Sequence, residues 1–461
     1  VVQIDDCLSS RPASFREERE GQHLFVWGDL GQWLVVDAEV ADLLQRFSGK
    51  RRVGEVVREC SQVMGRPYEE ALGETLPVID ALLKRGVLGS PPPVALPPND
   101  PLRVSNLTFN ITNRCNLNCA WCYNPRRTDD EVSIDDLLDW MAAGADALDE
   151  TASFIILGGE PFLNEARLLA AVRGARRLFT SEILVSTNGT ILDVETPAAL
   201  ADVGVTVQVS LDSASAPRHD ALRGEGVFQR ALVTVDRLLE VGVHTVLSMV
   251  LTRESQEEIE AYFDLAARIG VDEVRFIPLR QIGKGASHAS DAPDLLLCFR
   301  RIVDIIRRRP EIASMLHRDF FSILITVCRY SRLRGNCGIA RRCLFVDADG
   351  GIFPCPNHRD RRYRCGDVGV TPMNRLLETS TVLESLRHEY CLEKMPACAI
   401  CAYRYWCAGD CRAEALSTGG KPGSPSPYCR TMKRILPEMF WLLAEGWKGM
   451  GFQDRRYEPW S

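Results

Sequence analysis

Hydrophobic positions near the start of the chain change their period once. SFREER, HLFVW and QWLVV alternate apolar and polar residues, which predicts three short strands separated by Gly21 and the GDLGQ turn. Helical spacing follows in VDAEVADLLQRF, VGEVVREC and EEALGETLPVIDALLKRGVL. Beyond residue 100 the two periods take turns. NLTFNIT, SFIILG, EILVST, VTVQVS, TVLSMVLT and EVRFIPL are six strand candidates, with helical stretches such as SIDDLLDWMAAGADAL, ARLLAAVRGARRL and EEIEAYFDLAARIG between them.

These patterns divide the chain into units. Residues 1–90 hold three strands and then three helices, a compact winged-helix-like domain. PPPVALPPND, residues 91–100, cannot continue a helix or supply strand donors and reads as a semi-rigid linker. Residues 101–310 repeat strand and helix, which predicts a parallel α/β sheet in the form of a partial barrel, with functional side chains at the carboxyl ends of its strands. A bridging and cysteine-rich region is expected over 311–435 and a tail over 436–461.

Composition narrows the function classes. The 461 residues are 46% hydrophobic and 25% charged, as in ordinary globular proteins. A net charge of −7, with basic residues dispersed among acidic ones, offers no basic patch for nucleic acid. RR pairs and triplets such as Arg307 to Arg309 read as solvated helix faces. No apolar run is long enough for a bilayer, and VVQIDDCLSS lacks the basic start and apolar stretch of a signal peptide, so no membrane partner and a cytoplasmic location are expected. Seventeen cysteines then point to metal or redox chemistry rather than to disulfides.

Three of them, Cys115, Cys119 and Cys122, lie in NITNRCNLNCAWCYNP directly after the first barrel strand. Three thiolates suit a four-iron cluster in which the remaining iron is free to bind a ligand, whereas structural zinc takes a fourth protein ligand. CNLNCAWC resembles the CxxxCxΦC signature of the radical S-adenosylmethionine enzymes, with Trp121 as the aromatic residue. That resemblance implies a partial (β/α)6 barrel, a cluster on these three cysteines, and S-adenosylmethionine chelated by its open iron and cleaved to a 5'-deoxyadenosyl radical. It also implies cofactor contacts at later strand ends: Gly158, Gly159 and Glu160 in ILGGEP, with the acid meeting the cofactor's amino group, Ser186 and Asn188 in STNGT near the ribose, and Ser210 and Asp212 in SLDS. IPLRQIGKG is a candidate for the adenine side, without residue assignment.

Eight more cysteines crowd the last third. Their spacing, Cys337-x5-Cys343-x11-Cys355 and Cys398-x2-Cys401-x5-Cys407-x3-Cys411-x17-Cys429, resembles a complete SPASM domain, the extension of radical enzymes that holds two auxiliary 4Fe-4S clusters. The resemblance assigns Cys337, Cys343, Cys355 and Cys411 to the first cluster and Cys398, Cys401, Cys407 and Cys429 to the second, three clusters in all with the barrel's own. Zinc ribbons are the alternative reading of CxxC pairs. Cys7, Cys60, Cys298, Cys328, Cys365 and Cys391 remain, each read as a small buried hydrophobe. Cys365 and Cys391 are also weak candidates for a hydrogen donor.

The run GQWLVVDAEVADLLQRFSGKRRVGEVV resembles the PqqD-like recognition element of peptide maturases, in which a precursor's leader adds as an extra strand to the sheet edge. Together the resemblances imply a radical enzyme that modifies a ribosomally made precursor peptide, forming a carbon–carbon, ether or thioether crosslink, with a flavodoxin or ferredoxin-type electron donor. Three other readings stay open. A peptide epimerase needs only a hydrogen donor. A sulfatase-type maturase carries an aspartate where Pro356 stands here, and a zinc-bearing adaptor would lack catalysis. No general base stands out; His219, His288 and His358 are possible cavity residues.

Overall fold

The computed structural model describes residues 2–89, 102–330 and 334–450. The expected linker at 91–100 lies outside the described residues. Strands β1 (Cys7–Ser9) and β5 (Ser48–Arg52) form a small antiparallel pair that alternation in the sequence did not mark. Between them β2 (Phe15–Arg19), β3 (Gln22–Trp27) and β4 (Gln32–Asp37) make the expected meander, in the order β2-β3-β4. Helices Ala38–Arg46, Val53–Met64 and Tyr68–Lys84 follow, the first capped by Asp37, which accepts from the Val40 N–H at 2.8 Å.

The period of two in β3 divides its side chains between two cores. Phe25 and Trp27 pack with Leu43, Val56 and Ile79 in the amino-terminal domain's own core, while Leu24 and Val26 join the large core of the remaining chain. The amino-terminal sheet is therefore docked by its second face. Trp33 stacks on Phe440 with centroids 5.0 Å apart and donates its indole N–H to the Cys328 carbonyl at 3.0 Å. Trp441 donates to Glu17, and Arg19 pairs with Glu438.

The six anticipated barrel strands are all present: β6 (Val104–Asn110), β7 (Leu148–Leu157), β8 (Ile183–Thr187), β9 (Thr206–Ser210), β10 (Thr245–Leu251) and β11 (Glu273–Pro278). They run parallel, each beside its neighbour in sequence. Leu107, Phe109, Phe154, Ile156, Val207, Val209, Val274 and Phe276 are fully buried, while the alternating positions Gln208 and Arg275 share a hydrogen bond on the sheet's other side. That side is the concave interior.

Two features depart from expectation. The cysteine-rich region is not separate from the sheet: β12 (Cys343–Val346) pairs parallel with β6, and β13 (Gly351–Phe353) and β14 (Gly366–Asp367) extend it antiparallel, giving nine strands with β11 and β14 as open edges. The expected tail from residue 436 is also corrected, because helix Cys429–Ala444 runs through that boundary and buries Leu436, Met439, Phe440, Trp441 and Leu442. Those residues are core because the amino-terminal sheet and helices Leu295–Arg308 and Phe320–Arg329 pack on them. Among the described residues, no helix is long and apolar enough to cross a membrane.

Candidate active site

Cys115, Cys119 and Cys122 occupy the loop that leaves β6 at its carboxyl end, and all three are half-buried. Three other strand ends hold this loop. After β7, Gly159 N–H donates to the Thr112 carbonyl at 2.7 Å and Glu160 N–H to that of Arg114 at 2.9 Å. A Cβ on Gly159 would lie 2.0 Å from Arg114 O, so only glycine allows the approach. After β8, Asn188 donates to Asn116 at 2.9 Å and lies 4.0 Å from the Cys115 sulfur. After β11, Gly283 at φ +60° lies so close that a Cβ would come within 2.6 Å of the Cys122 and Tyr123 carbonyls. Lys284 N–H donates to the first of these at 2.9 Å, and its ammonium group reaches Asn118. IPLRQIGKG thus braces the cysteine loop.

The strand-end residues expected at the cofactor divide into two groups. Gly158, Gly159 and Asn188 lie against the cysteine loop, and Ser210 ends β9 on the concave side. Glu160 and Asp212 are turned toward the protein, whereas Ser186 faces the concave side beside Gln208. Glu160 is fully buried and its carboxylate accepts from Phe162 N–H at 3.0 Å, Thr187 Oγ1 at 2.7 Å and Asn188 N–H at 2.7 Å. It ties the ends of β7 and β8 together. Ser186 accepts from Gln208 at 3.3 Å, and Gln208 in turn accepts from Arg275.

Asp212, 1% exposed, pairs with Arg223 at 2.7 Å and accepts from Val250 N–H. Burial alone would raise the Asp212 carboxyl, but Arg223 beside it and its hydrogen bonds hold it below the usual range. Breaking such a buried pair by removing one partner costs about 3–5 kcal/mol.

Arg223 lies at this site although no motif marked it. Its charge acts on Cys119 against the burial that pushes that thiol up, and the Leu222 carbonyl beside it accepts from Ala120 N–H at 3.1 Å. Helix Ala216–Arg223 therefore delivers a held cation to the cysteine loop. His219 belongs to the same support. It is fully buried, accepts from Asp212 N–H at 3.0 Å, and burial lowers its pKa to about 4. His358 stacks on Tyr363 and is buried, and His288 pairs with Asp291 beside Trp121.

The eight later cysteines separate into two sites. Cys337, Cys343, Cys355 and Cys411 line a cavity of about 290 Å³, together with Pro356, Asn357 and Arg280. Cys398, Cys401, Cys407 and Cys429 line a second, tighter one, and Cys407 touches both. Burial pushes the Cys343 thiol up to about 12 and that of Cys411 to about 11. Among the described residues, no three His, Cys, Asp or Glu side chains converge closely enough to share one metal ion.

The surrounding polar atoms agree with an anionic group. Arg334 Nε, Arg404 Nε, Arg412 Nη2 and Trp406 Nε1 are buried donors with no hydrogen-bond acceptor among the described residues. Cys365 and Cys391 line neither cavity; the first thiol meets the Tyr363 carbonyl and the second Glu393.

A buried polar network joins the loop of Cys122 to that of Cys355. Arg359 donates to Asn124 at 3.0 Å and pairs with Asp347 at 3.1 Å, and Asp347 also accepts from Asn110 and Arg126. The cysteine loop of the barrel and the loop after Cys355 are thus tied together by buried polar contacts. Arg280, which follows β11, adds a second tie through Asp410 at 3.0 Å and Glu414 at 2.7 Å.

Comparison with known proteins follows this geometry. The sequence pattern of the Radical SAM superfamily matches residues 109–266. The mycofactocin maturase MftC of Mycolicibacterium smegmatis is 27% identical over 363 residues, covering 77% of this chain and 86% of the relative. Among solved structures, anSMEcpe with bound AdoMet superposes with a TM-score of 0.61 at 18% identity, over 74% of this chain and 98% of that one. Streptococcus suis SuiB bound to its precursor peptide SuiA gives a TM-score of 0.56 at 15% identity, over 93% and 99%. Residues 109–266 are a radical SAM domain, and the chain is related in sequence to the mycofactocin maturases.

Proposed function

We propose that the protein modifies a ribosomally made precursor peptide, captured through its leader, by closing a crosslink between residues of the core segment. The observation that carries this reading is the joint arrangement of three thiols at a barrel mouth and eight more around two cavities, with a small sheet domain docked beside them. The names of the maturase relative and of the peptide-bound structure support the substrate class. A four-iron cluster on Cys115, Cys119 and Cys122 would supply the electron that cleaves S-adenosylmethionine to a 5'-deoxyadenosyl radical.

The chain's own contribution is orientation and dryness. Asn188, Gly159 and Lys284 hold the cysteine loop in place, and Arg223 offsets the negative charge gathered there. Ile155, Leu157 and Val250, half-buried at the concave side's carboxyl end, exclude water from a reacting peptide. The two auxiliary cavities are lined by eight cysteines in all, Cys407 shared between them, enough for four ligands to each cluster, which favours electron uptake over substrate binding at those sites. An open edge of the β2-β3-β4 sheet offers main-chain partners to an extended leader.

Pro356 stands beside Cys355 in the first cavity, where a sulfatase-type maturase would need its carboxylate base. The crosslinking reading is therefore preferred.

Isothermal titration of the holoenzyme with full precursor, isolated leader and leaderless core tests this. The leader alone is expected to bind like the full peptide, the leaderless core at least about a hundredfold more weakly, and the full peptide to lose the mass of two hydrogen atoms on turnover. Equal binding of the leaderless core would remove the recognition role, and an unchanged product mass would remove crosslinking.

A further inference from the structure

Three guanidinium groups line the first auxiliary cavity: Arg280, Arg334 and Arg412. Arg280 is committed to Asp410 and Glu414, the acids closest at hand. The other two are only partly satisfied. Arg334 donates Nη2 to the Trp406 carbonyl, and its buried Nε has no acceptor among the described residues. Arg412, 2% exposed, donates Nη1 to the Ser424 carbonyl at 2.9 Å and Nε to that of Asp410 at 3.3 Å, leaving Nη2 buried with no acceptor among those residues. Burying a charged donor unpaired is costly, so such atoms persist only where something compensates them.

Their positions relative to the thiols are informative. The charge of Arg334 interacts with Cys407 of the second set and Cys337 of the first. Arg412 lines the first cavity, yet its charge acts on Cys398 and Cys429 of the second. Both cations thus lie between the two groups of four. A fixed positive charge and N–H donors near an iron–sulfur cluster favour its reduced, more negative state and raise its reduction potential.

We propose that Arg334 and Arg412 are positioning residues that set the reduction potentials of the two auxiliary clusters, making them acceptors for the electron released when the substrate radical is oxidised. In each event one electron reduces one cluster by one unit of charge, and the cation between the sites stabilises that added charge. This inference rests on the clusters assigned above.

Anaerobic potentiometric titration followed by EPR tests it in the holoenzyme and in Arg334→Gln, Arg412→Gln, Arg334→Lys and Arg412→Lys. Each glutamine variant is expected to keep its iron and to shift the auxiliary reduction equilibrium at least tenfold toward the oxidised form, about 59 mV for a one-electron couple. Each lysine variant should recover more than half of that shift. Glutamine variants with full iron and unmoved potentials would overturn the proposal. Loss of iron from both would overturn it too, since that outcome marks a scaffold role. Wild-type protein that binds only about four iron atoms would instead remove the underlying cluster assignment.

Discussion

Replacing Cys115, Cys119 or Cys122 by alanine is expected to drop 5'-deoxyadenosine formation to background while iron falls from about twelve to about eight atoms per chain. The selectivity of that loss is the informative part. The trio sits on its own loop, held by the ends of β7, β8 and β11, whereas the other eight thiols line two cavities elsewhere. An alanine in the trio removes one sulfur without touching those cavities, so the auxiliary iron should remain. If iron instead fell to near zero, the three sites would assemble as one unit. If 5'-deoxyadenosine persisted, the trio would not be the site of cleavage. Iron and sulfide analysis beside a chromatographic assay for the nucleoside reads both.

Cys355→Ala should separate the two halves of the reaction. The Cys355 thiol lines the larger cavity, and burial holds it far above its ordinary range, so as a free thiol it would stay protonated. Its carbonyl accepts from His358 N–H at 3.1 Å, and Arg359 next to that histidine reaches Asn124 in the cysteine loop. The side-chain substitution spares these contacts. The variant is expected to lose about four iron atoms, to keep cleaving S-adenosylmethionine, and to yield no crosslinked peptide. Liquid chromatography with mass detection would show nucleoside accumulating over unmodified precursor. A Cys355→Ala enzyme that still closed the crosslink would take the first auxiliary site out of the chemistry.

How far the chain could be read before folding follows from the range of each interaction. Alternation along NLTFNIT or VTVQVS reports which side of a strand is buried, and each of the six runs became a parallel strand. The cysteine spacings are also local, and the eight later cysteines line two adjoining cavities that share Cys407. Partners distant in sequence were not legible. GGE contains a carboxylate, but only the convergence of β7 and β8 turns Glu160 onto Thr187 and Asn188. Arg223 ends an unremarkable helix and gains its role because Asp212, eleven positions earlier, and Cys119 meet it in space.

The boundary at 436 falls inside helix Cys429–Ala444 because the helix's apolar residues face a sheet more than 390 positions earlier in the chain, as the Arg19 to Glu438 contact shows by its separation of 419. Strands β12 to β14 were missed for a related reason. They contain four, three and two residues, too few for alternation to register.

The most direct measurement follows a hydrogen atom. Anaerobic holoenzyme is given reductant, S-adenosylmethionine and a precursor peptide deuterated throughout its core side chains, and the nucleoside released is weighed. A radical formed beside the thiol trio and quenched by the peptide predicts 5'-deoxyadenosine carrying deuterium, in step with peptide conversion. Nucleoside free of deuterium, or none released at all, would contradict the account.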